Sequence, residues 1–386
     1  MSAKPGGRRG VTFARIAREW LRLGAIGFGG PPTHISMLRR LCVERNQWMD
    51  DHEFNDAIAT TNLLPGPAST QLAIYCAWRL RGGVGALVGG VCFIAPGLAL
   101  IIALAAVFLA HDPATWLLGA AAGAGATVPG IALHAATDLI PSSLARSIEH
   151  RSRRRWFLYV GLGIVVEVAA GQFVVLALVA AGALELLLRH SPPLGPRAMF
   201  PVALVKGVTL GTLGALSWVA LKVGALSYGG GFVIVPLMRH DVVSTYHWMT
   251  NAQFLNAVAL GQVTPGPIVQ TVAVVGYSAA GVAGALLAAF IAFGPSFLFV
   301  LGGAGRFERI RANRSADAFL GGAGPCVIGA IGGSALSLAT TFVEPWQAGV
   351  LAVALLWLYA ARRSVVVIIV LGAALGALLA LSGAAV

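Results

Sequence analysis

The chain has 386 residues, of which 57% are hydrophobic and only 11% are charged, whereas a soluble domain carries about 25% charged residues. This balance, together with a mean hydropathy of +0.80, excludes an ordinary soluble protein and indicates a polytopic membrane protein. The net charge of +12 lies mainly in short segments between apolar runs, which is typical of orientation signals and argues against a nucleic-acid partner.

Apolar runs of about 20 residues predict membrane spans. In the first half, the predicted spans cover residues 20–37, 54–78, 84–110 and 115–140. The apolar stretch 157–188 is too long for one span, and Gly171-Gln172 near its middle predicts two short helices or a tight hairpin. A further apolar stretch at 200–217 leads into the second half, whose predicted spans cover 218–238, 254–279, 282–304, 317–340, 346–361 and 364–382. The predicted fold is an all-α polytopic membrane protein with about 10–13 transmembrane segments, including broken helices.

The chain contains an internal duplication. Residues 21–67 recur as residues 221–267 without a gap, with matching Gly-Gly and Pro-Gly-Pro sequences. We therefore predict an N-terminal repeat over residues 1–190, a linker with an additional span over 191–217, and a C-terminal repeat over 218–386. Repeats of this kind are a common way to build a transporter with its site at the repeat interface.

The distribution of arginine and lysine predicts that the two repeats are inverted. By the positive-inside rule, the basic N-terminus and residues 146–155 are cytoplasmic, and residues 111–114, which lack Arg and Lys, are external. In the second half, the arginine-rich residues 306–314 are predicted to be cytoplasmic and the uncharged residues 278–281 external. The two repeats would then cross the bilayer in opposite directions.

The Pro-Gly-Pro sequences at 65–67 and 265–267 interrupt apolar segments, and two prolines around a glycine predict a discontinuous helix. Broken backbone in lipid is costly unless it lines a cavity or binds something. The helix that restarts after each break presents free N–H groups and a partial positive charge, which favour an anion. The alternative is a pair of proline kinks that only shape the helix bundle.

A second pair of breaks is predicted at Gly29-Gly30 and Gly229-Gly230. Glycines there permit either close approach of a ligand or crossing of two helices at small residues. The candidate substrate-binding residues are the glycines of all four breaks and the polar side chains beside them: Gly29, Gly30, Asn62, Gly66, Ser69, Thr70, Gln71, Gly229, Gly230, Gln262, Thr264, Gly266, Gln270 and Thr271.

Charged residues are few and supply further candidates. Lys222 lies deep in apolar sequence and is a candidate to balance a bound anion, with snorkelling to the interface as the alternative. The second repeat has neutral residues at the positions equivalent to Glu44, Glu53 and Asp56. These three acidic residues are therefore candidates for proton coupling; the alternative is that they only stabilise the start of a helix. The remaining candidates for charge or proton coupling are Arg22, Arg39, Glu167 and Arg239.

No sequence pattern indicates a metal site or a cofactor. The four cysteines show neither CxxC nor Cys/His spacing, so we expect neither a metal nor a disulfide framework. No zinc-protease, serine-hydrolase or nucleotide-binding fingerprint is present, and we expect a protein that is not an enzyme.

Residues 24–31, Glu44, Trp48, residues 62–67 and residues 264–267 resemble the chromate ion transporter (CHR) family, in its long-chain, two-domain form. The resemblance covers nearly the whole chain. It implies oppositely oriented halves and export of chromate across the bacterial inner membrane, driven by the proton motive force. Two features depart from the family pattern: Asn62 stands where Gln is more common, and the second half lacks an acidic residue near Ser244.

The sequence thus predicts a multi-pass secondary transporter with a cytoplasmic N-terminus that exports an oxyanion by alternating access. The expected partners are chromate, protons and the lipid bilayer, and assembly as a homodimer is possible. Sulfate is a near-isosteric dianion, so sulfate transport, including uptake, is a second hypothesis. A membrane enzyme that acts on lipid phosphates and a scaffold protein are two further hypotheses from different functional classes.

Overall fold

The structure is a computed structural model that describes residues 11–62, 64, 66–110, 114–149, 153–189, 211–227, 232–303 and 314–384. Every regular element in these ranges is a helix. Five helical stretches among them are long and apolar enough to cross a membrane. The prediction of an all-α polytopic membrane protein is therefore confirmed.

The described part of the first half contains seven α-helices. They are α1 (Phe13–Ile26), α2 (Pro31–Arg39), α3 (Asp51–Thr61), α4 (Ala68–Phe108), α5 (Thr115–Glu149), α6 (Arg153–Ala170) and α7 (Val174–Arg189). A π-helical turn, Arg40–Arg45, continues α2, and a 3₁₀ turn, Gly171–Phe173, separates α6 from α7.

The described part of the second half repeats this order. Its helices are α8 (Thr212–Leu226), α9 (Ile234–Arg239), α10 (Asn251–Val263), α11 (Thr271–Gly303), α12 (Arg314–Ala339), α13 (Pro345–Tyr359) and α14 (Val365–Leu381). A π-helical turn again follows the second helix, at His240–Thr245, and a 3₁₀ turn at Ile268–Gln270 precedes α11. Most of the predicted linker, residues 191–210, lies outside the described residues.

The segments predicted as the first two spans of the N-terminal repeat fold back as helical hairpins. Arg15 Nη2 donates to Asn46 Oδ1 at 2.7 Å, which closes the base of the α1–α2 hairpin. Arg79 pairs with Glu53 and closes the hairpin of α3 and the start of α4. These two residues are 26 positions apart, and a continuous helix would separate them by about 40 Å. The prediction that residues 20–37 and 54–78 each cross the membrane is therefore wrong.

The C-terminal repeat folds back in the same way. Lys222 pairs with Asp241 within the α8–α9 hairpin, and Ser278 Oγ donates to the carbonyl of Trp248 at 2.6 Å across the next hairpin. Residues 218–238 and 254–279, also predicted as spans, are thus hairpins. The tight turns at the described tips rely on glycines with positive φ, which other residues rarely adopt: Gly29 (+99°), Gly30 (+73°), Gly66 (+113°) and Gly266 (+97°).

Helices α4 and α11 each reverse direction at one equivalent point. In α4 the turn is at Arg81 (φ −143°, ψ 26°) and Gly82 (φ 63°, ψ −153°). In α11 it is at Ala280 (φ −154°, ψ 32°) and Gly281 (φ 62°, ψ −153°). The nearly equal angles give each helix a first arm, 68–80 or 271–279, and a second arm, 83–108 or 282–303. The predicted boundaries between 54–78 and 84–110, and between 254–279 and 282–304, agree with these turns.

The second arms of α4 and α11 lie against each other and are antiparallel. Gly83 at the start of one arm lies beside Leu301 near the end of the other, and Gly90 lies beside Phe297. Because the two arms are equivalent in the duplicated sequence, this arrangement is the one that inverted repeats would produce. Inversion itself stays a prediction.

The two halves exchange their terminal helix pairs. Helix α5 packs on α13 and α14, whereas α12 packs on α6 and α7. The contacts run through glycines: a Cβ added to Gly123 would lie 2.0 Å from the Gly372 carbonyl oxygen, and one added to Gly329 would lie 2.0 Å from that of Val160. Such close backbone contact is typical of membrane helix pairs.

The helix pair α6–α7 is a hairpin, as the sequence predicted for residues 157–188. Arg155 Nε and Glu185 Oε2 lie 2.8 Å apart and join the open ends of its two helices. The 3₁₀ turn at Gly171–Phe173 forms its closed end, where Gly171-Gln172 predicted a break. The predicted spans 346–361 and 364–382 correspond to α13 and α14.

Candidate functional site

The tips of the helical hairpins meet at the junction of the two halves. The Gly266 N–H donates to the Gly27 carbonyl at 3.0 Å, which joins the Pro-Gly-Pro tip of the second half to the first tip of the first half. In the reciprocal contact, a Cβ added to Gly66 would lie 3.1 Å from the Gly224 carbonyl oxygen. We call the buried polar residues at this junction the tip cluster: His34, Ser69, Thr70, Gln71, Ser227, Gln262, Thr264, Gln270, Thr271 and Ser296.

A new helical segment starts inside the tip cluster after each Pro-Gly-Pro sequence. The N–H groups of Thr70 and Gln71 both donate to the Pro67 carbonyl at 3.0 Å, so α4 begins directly after Pro67. In the second half, the Gln270 N–H donates to the Pro267 carbonyl at 2.9 Å. The first N–H groups of a helix have no acceptor within that helix and carry a partial positive charge. Both starts therefore bring donors into the cluster.

The tip cluster contains buried polar atoms that have no hydrogen-bond partner among the described residues. They are Thr70 Oγ1, Ser227 Oγ, Gln262 Nε2, Gln270 Oε1 and Ser296 Oγ. A buried polar atom without a partner costs about 1–3 kcal/mol, and such atoms in a native structure call for an explanation. A bound polar solute would supply the missing hydrogen bonds.

The side-chain amide of Gln270 is held from the other half of the molecule. Its Nε2 donates to the Ile94 carbonyl of α4 at 2.9 Å. A Cβ added to Gly97, in the same arm, would lie 2.0 Å from the Pro265 carbonyl oxygen. The second Pro-Gly-Pro tip therefore rests directly on the α4 backbone, and only glycine fits at residue 97.

His34 is the titratable member of the tip cluster and is 1% exposed. Its Nε2 lies 2.9 Å from the Gly27 carbonyl oxygen, and its Nδ1 lies 3.2 Å from Ser69 Oγ. The ring meets Phe93 edge-on, with centroids 5.1 Å apart. The imidazole thus links the first hairpin tip to the start of α4.

Most of the predicted polar site residues lie in the tip cluster. Ser69, Thr70, Gln71, Gln262, Thr264, Gln270 and Thr271 are all buried there, together with Gly66 and Gly266. The Thr264 and Thr271 hydroxyls donate to the carbonyls of Leu260 and Ile268 within their own segments. Gly30 is buried, whereas Gly29 and Asn62 are exposed. Gly229 and Gly230 lie outside the described residues.

The predicted charged candidates lie away from the tip cluster or are engaged elsewhere. Arg22 and Glu44 are exposed, and Asp56 Oδ2 is 3.2 Å from His52 Nδ1. Glu53 pairs with Arg79, Arg39 with Asp51, and Lys222 with Asp241. Glu167 is buried and accepts from Ser334 Oγ at 2.6 Å, and Arg239 Nη2 donates to Asn251 Oδ1 at 3.0 Å.

Sequence reasoning missed His34, Ser227 and Ser296. Ser227 directly follows α8, lies within the predicted span 218–238 and matches Gly27, so its hydroxyl next to the Gly-Gly sequence was a usable signal. Ser296 follows Pro295 inside an apolar helix, where a lone serine predicts nothing definite. His34 follows the Gly-Gly break by one helical turn, but its partner Ser69 is far away in the sequence.

Comparison with known proteins identifies the family. The profile described as "Chromate transporter" matches residues 14–190 and 214–377. The chromate transport protein of Cupriavidus metallidurans is 33% identical over 85% of this chain and 83% of its own length. That of Pseudomonas aeruginosa is 30% identical over 94% and 91%. The probable chromate transport protein of Synechococcus elongatus is 29% identical over 85% and 84%.

No match was found among solved structures. The two regions matched by the profile contain both pairs of described hairpins and the helices that pack on them. Because the profile and the relatives both extend over most of the sequence, the chain belongs to the chromate transporter family.

Proposed function

We propose that this protein exports chromate across the bacterial inner membrane and binds the anion at the tip cluster. The observation that carries the proposal is the group of buried polar atoms, without a hydrogen-bond partner in the described part of the chain, where the hairpin tips of both halves meet. The relatives, which are named as chromate transport proteins, support chromate as the cargo. The match at 30% identity or more over most of the chain supports a shared transport activity.

The tip cluster fits the chemistry of a tetrahedral dianion. The hydroxyls of Thr70, Ser227 and Ser296 and the Gln262 amide supply hydrogen-bond donors. The helix starts after the two Pro-Gly-Pro sequences add N–H donors and a partial positive charge of about half an elementary charge each. Lys222 remains a proposed source of further positive charge, and its pair with Asp241 would have to open for the ammonium to face the anion.

The arrangement of the halves supports transport by alternating access. Contacts such as Gly266 to Gly27 join tips that belong to different halves. A rocking motion of one half against the other would separate these tips and open the cluster to one side of the membrane at a time. Inverted repeats with their site at the interface work in this way, and inversion together with a cytoplasmic N-terminus is part of the proposal.

The membrane potential favours export over uptake. Moving one charge across 100 mV changes its free energy by about 2.3 kcal/mol. A dianion that leaves a negative cytoplasm therefore lowers its free energy by about 4–5 kcal/mol per 100 mV. The electrical part of the proton motive force is therefore sufficient to drive export. Proton coupling would add to this driving force, and its candidate residues are Glu44, Glu53, Asp56 and Glu167. The positive charges of Arg22, Arg39 and Arg239 would attract the anion to the hairpins.

The proposal is tested by labelled chromate uptake into everted vesicles, with and without an energised membrane. We expect gradient-dependent accumulation, and we expect Ser227→Ala to reduce it while the protein level stays unchanged. Ser217→Ala is the matched control, because this half-buried hydroxyl donates to the Leu213 carbonyl of its own helix and is not part of the tip cluster. Absence of accumulation by folded protein would refute export, and an equal effect of both substitutions would refute the site.

Sulfate is the competing cargo because it has the same shape and charge. Excess unlabelled sulfate in the vesicle assay ranks the two anions directly. If sulfate at equal concentration halves chromate accumulation, the cluster selects tetrahedral dianions as a class rather than chromate, and abolition at that concentration would make sulfate the preferred cargo. Accumulation only in right-side-out vesicles would indicate uptake instead of export.

A further inference from the structure

We propose that His34 is a proton-operated switch that turns the Ser69 hydroxyl into a hydrogen-bond donor for the transported oxyanion. The inference rests on the proposed function and adds to it a positioning residue in the first half of the molecule. It follows from the two hydrogen bonds of the imidazole, from the surroundings of the ring, and from the residues that stand in its place in the second half.

The tautomer of the neutral ring is fixed by its neighbours. The Gly27 carbonyl oxygen can only accept, and it lies 2.9 Å from His34 Nε2, so Nε2 carries the hydrogen. Nδ1 of the neutral ring is then an acceptor, and the Ser69 hydroxyl at 3.2 Å donates to it. In this state the hydrogen of Ser69 is held by His34 and is not available to an anion.

A proton on Nδ1 reverses this hydrogen bond. The proton is taken up from the bulk solution and reaches the ring through water that enters with the anion, so no hydroxide is left behind. Nδ1–H becomes the donor, and Ser69 Oγ becomes the acceptor. The hydroxyl hydrogen of Ser69 then turns outward to the tip cluster. No covalent bond of the protein other than the new N–H bond changes. Protonation therefore adds one donor and one positive charge beside the start of α4.

The proton and the anion stabilise each other at this place. His34 lies in the first turn of α2 and Ser69 in the first turn of α4, so two partially positive helix starts oppose a charge on the ring. A bound dianion removes this opposition. By thermodynamic linkage, protonation strengthens anion binding by the same factor by which the anion strengthens protonation.

The charged side chains of the packed elements are paired or directed elsewhere, so none of the described ones neutralises the ring. On α1, Arg15 binds Asn46, Glu19 pairs with Arg18, and Arg22 is exposed. On α2, Arg39 pairs with Asp51. On α4, Arg79 pairs with Glu53 and Arg81 lies over the Phe13 ring.

The second half lacks this switch. Ile234 stands at the position equivalent to His34, and the residue that corresponds to Ser69 is the apolar Val269. Ile234 is fully buried, as is His34. The chain itself therefore shows that isoleucine fits the same backbone position, which makes His34→Ile the natural test substitution.

The test measures chromate binding to purified protein as a function of pH, together with proton uptake on binding. We compare the wild type with H34I and H34Q; glutamine retains a donor for the Gly27 carbonyl and an acceptor for Ser69 but does not titrate. Chromate itself takes up a proton in acidic solution, and the variants subtract this contribution because they bind the same ligand.

We expect the chromate affinity of the wild type to rise as pH falls, more steeply than that of H34I and H34Q by up to about tenfold per pH unit. We also expect the wild type to take up protons that the two variants do not. Equal pH dependence and equal proton uptake in all three proteins would overturn the switch while leaving the anion site intact. If the folded wild type does not bind chromate at any pH, the proposed function fails, and this inference fails with it.

Discussion

The α1–α2 hairpin of the first half and the α8–α9 hairpin of the second half have the same backbone arrangement but different charges near their open ends. We call the end at Arg39 the first mouth and the end at Arg239 the second mouth. Arg39 and Arg239 occupy equivalent positions just before the π-helical turns. Arg39 pairs with Asp51, whereas Arg239 meets the neutral Asn251 at the equivalent place. The carboxylate that acts electrostatically on Arg239 is Glu167, which comes from the exchanged α6–α7 hairpin.

This difference shows that the duplicated halves kept the same helices and turns while their polar and charged side chains diverged. Glu167 Oε1 accepts from Ser334 of α12, and Oε2 has no hydrogen-bond partner among the described residues. The second mouth is thus balanced by a buried carboxylate of the first half, while the first mouth is balanced locally and near solvent. Proton chemistry is to be sought in residues that break the symmetry, of which His34 and Glu167 are the main examples.

The largest effect is expected where the two halves are the same. A Cβ added to Gly24 would lie 2.3 Å from the Phe93 carbonyl oxygen, and one added to Gly224 would lie 2.1 Å from that of Ala292. Either alanine substitution forces two backbones apart, so we expect a loss of about 3 kcal/mol or more. Thermal unfolding in detergent measures it.

The matched control for this prediction is Gly294→Ala, because a Cβ there meets nothing within 4 Å. We expect it to unfold at the wild-type temperature. If Gly224→Ala were as stable as this control, the close contact between α8 and α11 would be absent from the native protein.

The next effect is expected at the second mouth. Glu167→Gln removes the carboxylate that offsets Arg239. An uncompensated charge costs about 3–5 kcal/mol where it is fully buried, and the cost falls below this range here because Arg239 is half-buried. We expect a clear drop in thermal stability that is smaller when Arg239→Gln is present as well. Stability measurements on both single variants and the double variant give the coupling between the residues. Additive effects would show that Glu167 and Arg239 do not interact.

A smaller effect on binding is expected from the tip cluster. Ser296 Oγ is buried and has no partner among the described residues, so Ser296→Ala removes a donor for the anion without breaking a bond within the protein. We expect weaker chromate binding by about fivefold to tenfold, equivalent to about 1 kcal/mol, with stability equal to or above that of the wild type. A loss of stability with unchanged chromate affinity would place Ser296 in the packing rather than in the site.

The smallest effect is expected at the first mouth. Asp51→Asn gives this mouth the amide that the second mouth has by nature. The Asp51 side chain is 63% exposed, and exposed ion pairs contribute about 0–1 kcal/mol. We expect a stability change within that range in a detergent thermal melt. A change as large as that of Glu167→Gln would mean that the two mouths are energetically equivalent after all.

The helix breaks could be predicted from sequence because their causes are local. Proline at 67 and 267 removes backbone donors, and Gly66 and Gly266 adopt positive φ. The polar residues after the first break, Ser69 to Gln71, were found for the same reason. The turn at Gly171 also follows from composition alone.

The direction that the chain takes after each break could not be predicted. A continued helix and a hairpin have the same composition, and contacts such as Arg79 with Glu53 decide between them only in the folded state. The exchange of terminal helices could not be predicted either. Small residues such as Gly119 and Gly123 favour close helix packing, but they do not indicate which helix packs against them. The proposed role of His34 likewise could not be predicted, because it depends on the contact with Ser69, which only the folded structure shows.

The exchange of helix pairs also determines how late in biosynthesis some helices meet their packing partners. The glycine face of α5 is translated early, but the face of α14 that covers it, with Gly372 and Gly376, is translated much later. Until then, lipid or an insertase must shield α5. The glycine face of α5 therefore stays uncovered until α14 has been translated, and a nascent chain that stops before α14 leaves α5 without the helix that packs on it.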